Sequence, residues 1–175
     1  MVKTGDTLAL GQRTLAFVAA PMVHWPDSMF TYCPEEKLLL PNDGFGQHLA
    51  HPKRFADEIG EDVCLEEAAK YYANILMPLG NVISKKIEEL EKMNLAVDMI
   101  APSHGAIWRK NISSIIAAYK RWTHFEAKPK VVIVYDTMWE STDKIARVLT
   151  ETIADEGVEV KLYRLRKSDG ARIVR

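Results

Sequence analysis

A chain of 175 residues is long enough for one substantial core, or for one domain and part of a second. Its 23 Lys+Arg against 24 Asp+Glu leave a formal charge of -1, which removes any bulk-charge case for nucleic acid or an anionic membrane as partner. Apolar residues make up 47% of the chain, but no run approaches the roughly 18 residues of a membrane span. The first six residues, Met1 to Asp6, hold no apolar signal core. Cys33 and Cys64 form no C-x-x-C spacing, which suits a reducing cytosol rather than a disulfide framework. A soluble cytoplasmic protein is therefore expected.

The first forty residues read as β-structure. Thr7 to Leu10 and Arg13 to Ala20 flank a Gly11-Gln12 turn, a hairpin pattern, and Met29 to Cys33 with Lys37 to Leu40 flank Pro34-Glu35-Glu36 in the same way. "PNDGFGQHLAHPKRF", from Pro41, is rich in turn formers and reads as a long loop, a kind more often functional than idle. From Leu65 to Leu90, apolar residues recur at helical steps, interrupted at Pro78 and Gly80, so a kink or two helices are expected there. Val97 to Ala101 is a short buried strand running into "PSHG", and Ile112 to Trp122 is a second helix with Asn111 as its N-cap.

The character changes at residues 126–130, a polar stretch with Pro129 that reads as a linker between a domain at 1–125 and another at 131–175. Val131 to Tyr135 is a continuous apolar run of the type buried in parallel sheets. "DTMWEST" then turns into a helix over Asp143 to Glu156 with Ile145, Leu149 and Ile153 on one stripe; Gly157 closes it, and Val158 to Leu162 is the next strand. One β-loop-α-β unit results, fewer than an open α/β sheet needs.

Three residues share a setting at strand ends: His24, Asp43 and His104. Two imidazoles and a carboxylate suit iron or zinc, but their separation along the chain is no local motif. Hydrogen-bonded structural histidines and an Asx-turn at Asp43-Gly44 explain the same residues. His48 and His51 read as surface or secondary histidines, His124 as solvated, and both cysteines as buried and inert. In "YDTMWEST", Thr137, Ser141 and Thr142 offer hydroxyls at a helix start, a geometry that binds phosphate. An ordinary N-cap by Ser141 or Thr142 is the competing explanation. Walker and dinucleotide glycine motifs are absent.

Taken together, "GDTLALGQRTLAFVAAPMVHWPDSMFTY", "NDGFGQH", "YYANILMP" and "IAPSHGAIW" resemble the metallo-β-lactamase-like domain of the flavodiiron proteins. "VVIVYDTMWESTDKIA" resembles the start of the flavodoxin-like domain that follows in that family. The resemblance implies an α/β fold: the C-terminal half of a metallo-β-lactamase-like αββα sandwich plus the first βαβ unit of a flavodoxin-like domain. By the same resemblance His24 and His104 each ligate one iron of a diiron centre, and Asp43 bridges the two. Thr137, Met138, Trp139, Ser141 and Thr142 form the turn that holds the phosphate of FMN. The implied activity is reduction of dioxygen to water or of nitric oxide, with electrons arriving from a donor protein or reduced cofactor through FMN in a head-to-tail homodimer. Pro21 and Pro26 would stiffen the loop that aims His24.

Two departures qualify the resemblance. The family's His-x-Glu-x-Asp-His motif, which supplies four further ligands, does not occur here, and the loops that hold the flavin ring in later strands do not follow. Glu140 stands where flavodoxins commonly have glycine, and the tail "KSDGARIVR" diverges. The chain thus looks truncated at both ends. The alternatives to the reductase are a non-catalytic fragment or split-gene subunit that needs a complementing chain, and a zinc-dependent hydrolase of the same fold.

Overall fold

The computed structural model describes residues 2–168 and 170–173, which form two compact units, residues 1–125 and 126–175. In unit 1, β1 (Thr7–Leu10), β2 (Arg13–Ala19), β3 (Met29–Cys33) and β4 (Leu38–Leu40) pair antiparallel in sequence order. A fifth strand, β5 (Met99–Ile100), adds parallel to β4. The hairpins expected from the sequence are present. The expected strand at Val97 to Ala101 is shortened, because only Met99 and Ile100 find partners on β4.

Side-chain alternation and register sort the sheet into two faces. Val18 opposes Phe30 and Tyr32 opposes Leu39, and all four are buried in the main hydrophobic cluster. Helices cover this face. They are α1 (Ala56–Ile59), α2 (Glu61–Tyr71), α3 (Gly80–Lys92) and α4 (Ile112–Thr123), which contribute Cys64, Ala68, Ile83, Ile87, Ile115 and Tyr119 to the same cluster. The other face carries Leu8, Leu10, Met29 and Leu40, all exposed. That face is where an αββα sandwich seats its second sheet.

The expected break near Pro78 is real and larger than a kink. A π-helical turn at Tyr72–Leu76 and a 3₁₀ turn at Met77–Leu79 separate α2 from α3. Pro78 lacks the N–H that an α-helix needs there, and the widened turn absorbs the mismatch. Asn111 does not cap α4: it sits at φ 50 in the left-handed region without a cap bond, and its amide instead donates to Glu61 Oε2 at 2.8 Å.

Unit 2 holds β6 (Lys130–Tyr135), α5 (Ser141–Asp155) and β7 (Glu159–Arg164), with β6 and β7 parallel in register from Lys130↔Glu159 to Tyr135↔Arg164. A 3₁₀ turn at Leu165–Lys167 and a short helix, α6 (Gly170–Ile173), follow. Gly157 takes φ +76 and its N–H closes on the Ala154 carbonyl at 2.9 Å, as a C′ glycine does. Two expectations are corrected here. Val132 and Val134 are exposed, so β6 is not covered on both faces within the described residues. The inward face of α5 runs through Asp143, Ala146, Thr150 and Ile153, which leaves Ile145 and Leu149 exposed. The divergent tail falls partly on Asp169, Val174 and Arg175, outside the described residues.

Candidate functional site

His24 stands in a tight loop between β2 and β3. Ala20 N–H donates to Ser28 O, Met22 N–H to Trp25 O, Val23 N–H to Ala20 O and Ser28 N–H to Trp25 O, at 2.7–3.1 Å. Ser28 Oγ also accepts from Trp25 N–H at 3.1 Å. With Ala20, Val23 and Ser28 buried beneath it, this loop holds the imidazole through its own backbone bonds rather than through prolines alone. The Val23–His24 peptide is cis.

Asp43 and His104 lie on two loops, residues 41–47 and 102–106, that are fastened to each other. Ser103 N–H donates to Asn42 O at 2.7 Å and Gln47 N–H to His104 O at 3.1 Å. Gln47, with no exposed surface, is the central fastener: its Oε1 accepts from Ala106 N–H at 2.6 Å and its Nε2 donates to Phe45 O at 2.9 Å. Trp108 Nε1–H reaches the same Phe45 carbonyl at 3.1 Å, and Tyr119 Oη accepts from Phe45 N–H at 2.9 Å. Gly105 shows how close the loops come: at φ +84, a Cβ there would collide with the Gln47 side chain and lie 2.6 Å from the Gln47 carbonyl. Only glycine fits such a conformation and approach.

This framework brings His24, Asp43 and His104 together. His24 Nε2 lies 3.3 Å from Asp43 Oδ2, and His104 Nε2 lies 3.2 Å from Asp43 Oδ1. The Asp43 side chain is only 9% exposed, while those of His24 and His104 are 23% and 50% exposed. The carboxylate is therefore at the bottom and the imidazoles at the rim. A buried carboxylate needs compensating partners, and one imidazole on each oxygen supplies them.

The donor set has a definite chemistry. Among the described residues, no three His, Cys, Asp or Glu side chains surround one ion position. Instead each carboxylate oxygen has its own imidazole, so the three residues define two positions with two donors each. Two ligands at about 2.0–2.2 Å from one ion in adjacent sites lie about 3 Å apart, close to both observed separations. The residues present thus fit two ions sharing Asp43, and the rest of each coordination sphere falls to donors outside these three residues.

Aromatic rings line one side of this group. His48 meets Tyr71 edge-on at 4.8 Å and His104 at 5.8 Å, and Tyr71 is 6.3 Å from the His104 ring. Burial, and then the Asp43 charge, push the Tyr71 phenol up to about 12, so it stays a neutral hydroxyl. His51 is exposed and accepts from Lys53 N–H at 3.1 Å, and it does not share a face with His48 on a helix. His124 is also exposed, with Nδ1 2.7 Å from the Lys120 carbonyl. Both cysteines are buried, and burial first of all raises the Cys64 thiol to about 11, which suits an inert residue. Gln47 and Tyr71 were not singled out from sequence. The one local hint of Gln47 was an amide set between a glycine-bracketed phenylalanine and a histidine.

In unit 2, the turn after β6 presents Thr137 buried, Met138 and Trp139 at 77% and 87% exposure, and Ser141 and Thr142 exposed at the start of α5. Neither hydroxyl caps the helix. The residue before it, Glu140, takes φ 63, ψ 0 without a side-chain cap bond. That left-handed conformation explains why glycine is favoured at this position, and the exposed Glu140 side chain keeps its charge in solvent. Asp143 is held below the ordinary carboxylate range, chiefly by its bond from Arg147 and then by that from the Tyr135 hydroxyl.

Residues 1–105 match the family described as ODP family beta lactamase. The chain is 55% identical over 175 residues to the nitric oxide reductase of Moorella thermoacetica, covering 100% of this chain and 44% of that protein. Among solved structures it resembles the rubredoxin oxygen:oxidoreductase of Desulfovibrio gigas, with TM-score 0.93 and 40% identity over 99% of this chain and 44% of that one. It likewise resembles the flavodiiron protein of Giardia intestinalis, with TM-score 0.93 and 36% identity over 99% of this chain and 42% of that one. The fold places the chain in the metallo-β-lactamase-like class. The chain belongs to the ODP β-lactamase family, that of the flavodiiron proteins. It spans less than half the length of these relatives.

Proposed function

We propose that this chain supplies part of a diiron site, fed with electrons through FMN, at which dioxygen is reduced to water or nitric oxide to nitrous oxide. The observation that carries this reading is the placement of His24 and His104 on opposite oxygens of buried Asp43. That arrangement serves two cations and screens them from each other. The iron pair, when bound, supplies the electrons and the binding position for the diatomic oxidant. The protein's own part is structural and electrostatic: Asp43 offers both oxygens, His24 and His104 each present Nε2, and Tyr71 keeps a neutral hydroxyl ring beside His104. FMN fits the turn at Thr137, Met138, Trp139, Ser141 and Thr142, where Thr137 Oγ1 is buried with no hydrogen-bond partner. Two donors per ion are too few to hold iron alone. The other donors lie outside these residues, and a complementing chain is one source of them. A head-to-tail homodimer would bring the flavin of one copy to the irons of the other, with an electron donor protein or reduced cofactor upstream. No helix of the described residues is long and apolar enough to cross a membrane. The cytoplasmic location expected from the sequence is part of this proposal.

The test is metal content by mass spectrometry after anaerobic loading with ferrous iron or zinc. The protein is loaded alone and with a chain carrying the His-x-Glu-x-Asp-His motif. About two irons per complex are expected, falling below about a tenth of that in Asp43→Asn, since losing even a supporting contact costs 10–100-fold in metal affinity. Retention of zinc with ester hydrolysis would instead favour the hydrolase. Retention of no metal, alone or with that chain, would leave the non-catalytic fragment.

A further inference from the structure

Among the described residues, three buried side-chain nitrogen or oxygen atoms lack a hydrogen-bond partner: Tyr72 Oη, Thr137 Oγ1 and Arg164 Nε. The last two meet at one place. Thr137 opens the turn after β6 and is 8% exposed. Arg164 ends β7, where the parallel register sets it opposite Tyr135 at the end of β6. Its Nη2 donates to the Thr137 carbonyl at 3.4 Å, a long bond that leaves Nε unused. Leaving either group desolvated and unpaired is costly, and such costs persist in folded proteins where a ligand completes the bonding.

Arg164 Nε–H can only donate and the Thr137 hydroxyl can donate as well as accept, so one anionic acceptor can serve both. Thr137 stands in the turn that leads into α5, a helix of 15 residues beginning at Ser141, whose first N–H groups add further donors. The neighbouring charges are already matched. Arg166 Nε binds Asp136 Oδ2 at 2.7 Å, and Thr137 N–H donates to Asp136 Oδ1 at 2.9 Å. Arg147 Nε binds Asp143 Oδ2 at 2.6 Å, and the Tyr135 hydroxyl donates to the other oxygen. Glu140 points its charge into solvent. Arg164 is thus the cation at this turn whose buried donor is left over.

We infer that Arg164 is a binding residue for a phosphate monoester dianion, completing from β7 the cradle that Thr137 and the start of α5 form from the other side. This rests on the flavin reading above and adds to it a cationic contact that selects FMN over riboflavin. A guanidinium suits the task because its fixed fork matches phosphate oxygens, and a charged bond to a desolvated anion is stronger than a neutral one.

Binding of FMN, riboflavin and inorganic phosphate to the full chain tests this, by flavin fluorescence quenching and by competition. The proteins compared are the wild type, Arg164→Leu and Arg164→Lys, each checked for folding by circular dichroism. The expected result is FMN bound more tightly than riboflavin by the wild type. Arg164→Leu should weaken FMN about tenfold without changing riboflavin, and Arg164→Lys should recover part of the loss. Inorganic phosphate should compete with FMN in the wild type and lose that ability in Arg164→Leu. An unchanged ratio of FMN to riboflavin affinity in both variants overturns the role of Arg164 and leaves the flavin turn standing. Phosphate binding that depends on Arg164 without FMN binding keeps the anion cradle and removes the flavin. A wild type that binds neither overturns both.

Discussion

The two candidate sites in this chain treat their polar groups in opposite ways. At Asp43 each carboxylate oxygen has an imidazole, and the loops beneath are fastened by Gln47, Trp108 and Tyr119, so the group is satisfied as it stands. At the turn after β6, Thr137 Oγ1 and Arg164 Nε are buried with nothing to bond. The first site is held by the protein's own contacts and would exchange them for metal bonds. The second carries an unpaid desolvation cost until an acceptor arrives. Occupancy should therefore matter more for the stability of unit 2, and packing more for unit 1.

The largest effect that would sharpen this contrast is Gly105→Ala. A methyl group at φ +84, forced into Gln47, should destabilise the chain by about 2–4 kcal/mol in urea denaturation, because strain and overpacking act together. A loss below about 1 kcal/mol would show that the two loops yield easily. Thr137→Val should act in the reverse sense. Replacing an unpaired buried hydroxyl by a methyl of like shape should raise the stability of the ligand-free protein by about 1 kcal/mol while weakening FMN. A loss of stability in that variant would mean that the hydroxyl has a partner after all, and the contrast between the sites would collapse.

The smallest effect concerns acid. Asp57 is held below the usual carboxylate range by its bond from Arg109, and Asp143 by its bond from Arg147. For a depressed carboxylate, the stabilisation is fully present above the unfolded value of about 3.9 and is lost as the pH falls through the lower folded value. Arg109→Gln and Arg147→Gln should each lower the melting temperature slightly at pH 7, with a smaller deficit at about pH 3. A deficit of equal size at both pH values would assign the loss to packing instead of charge.

What the sequence revealed, and what it concealed, follows from the range of the interactions involved. The hairpins of β1 to β4 were legible because alternation and turn residues are local signals. Strand ends likewise marked His24, Asp43 and His104. Gln47 was not legible, since its role depends on Ala106, 59 residues away, and on a close approach made possible by Gly105. Asn111 and the Ser141-Thr142 pair look like helix caps by composition. In the fold, left-handed backbone at Asn111 and Glu140 opens these helices without a side-chain cap bond, and the Asn111 amide bonds Glu61 instead. The stripe of α5 was misplaced for a related reason: Ile145 and Leu149 are apolar, but the face that meets β6 and β7 is set by the small residue Ala146. Arg164 lies beyond the strand expected at Val158 to Leu162, and only the observed pairing of β6 with β7 sets it opposite Tyr135.

The fastening of the loops around Asp43 has a consequence for motion. Phe45, Gln47 and Ala106 belong to no regular element, yet their amide protons are given to Tyr119 Oη, the His104 carbonyl and Gln47 Oε1 beneath the surface. In deuterated water these amides should exchange as slowly as those of the central strands, and release together with them in one opening event. The loops that carry Asp43 and His104 would then belong to the same cooperative block as the sheet, with no gating movement of their own.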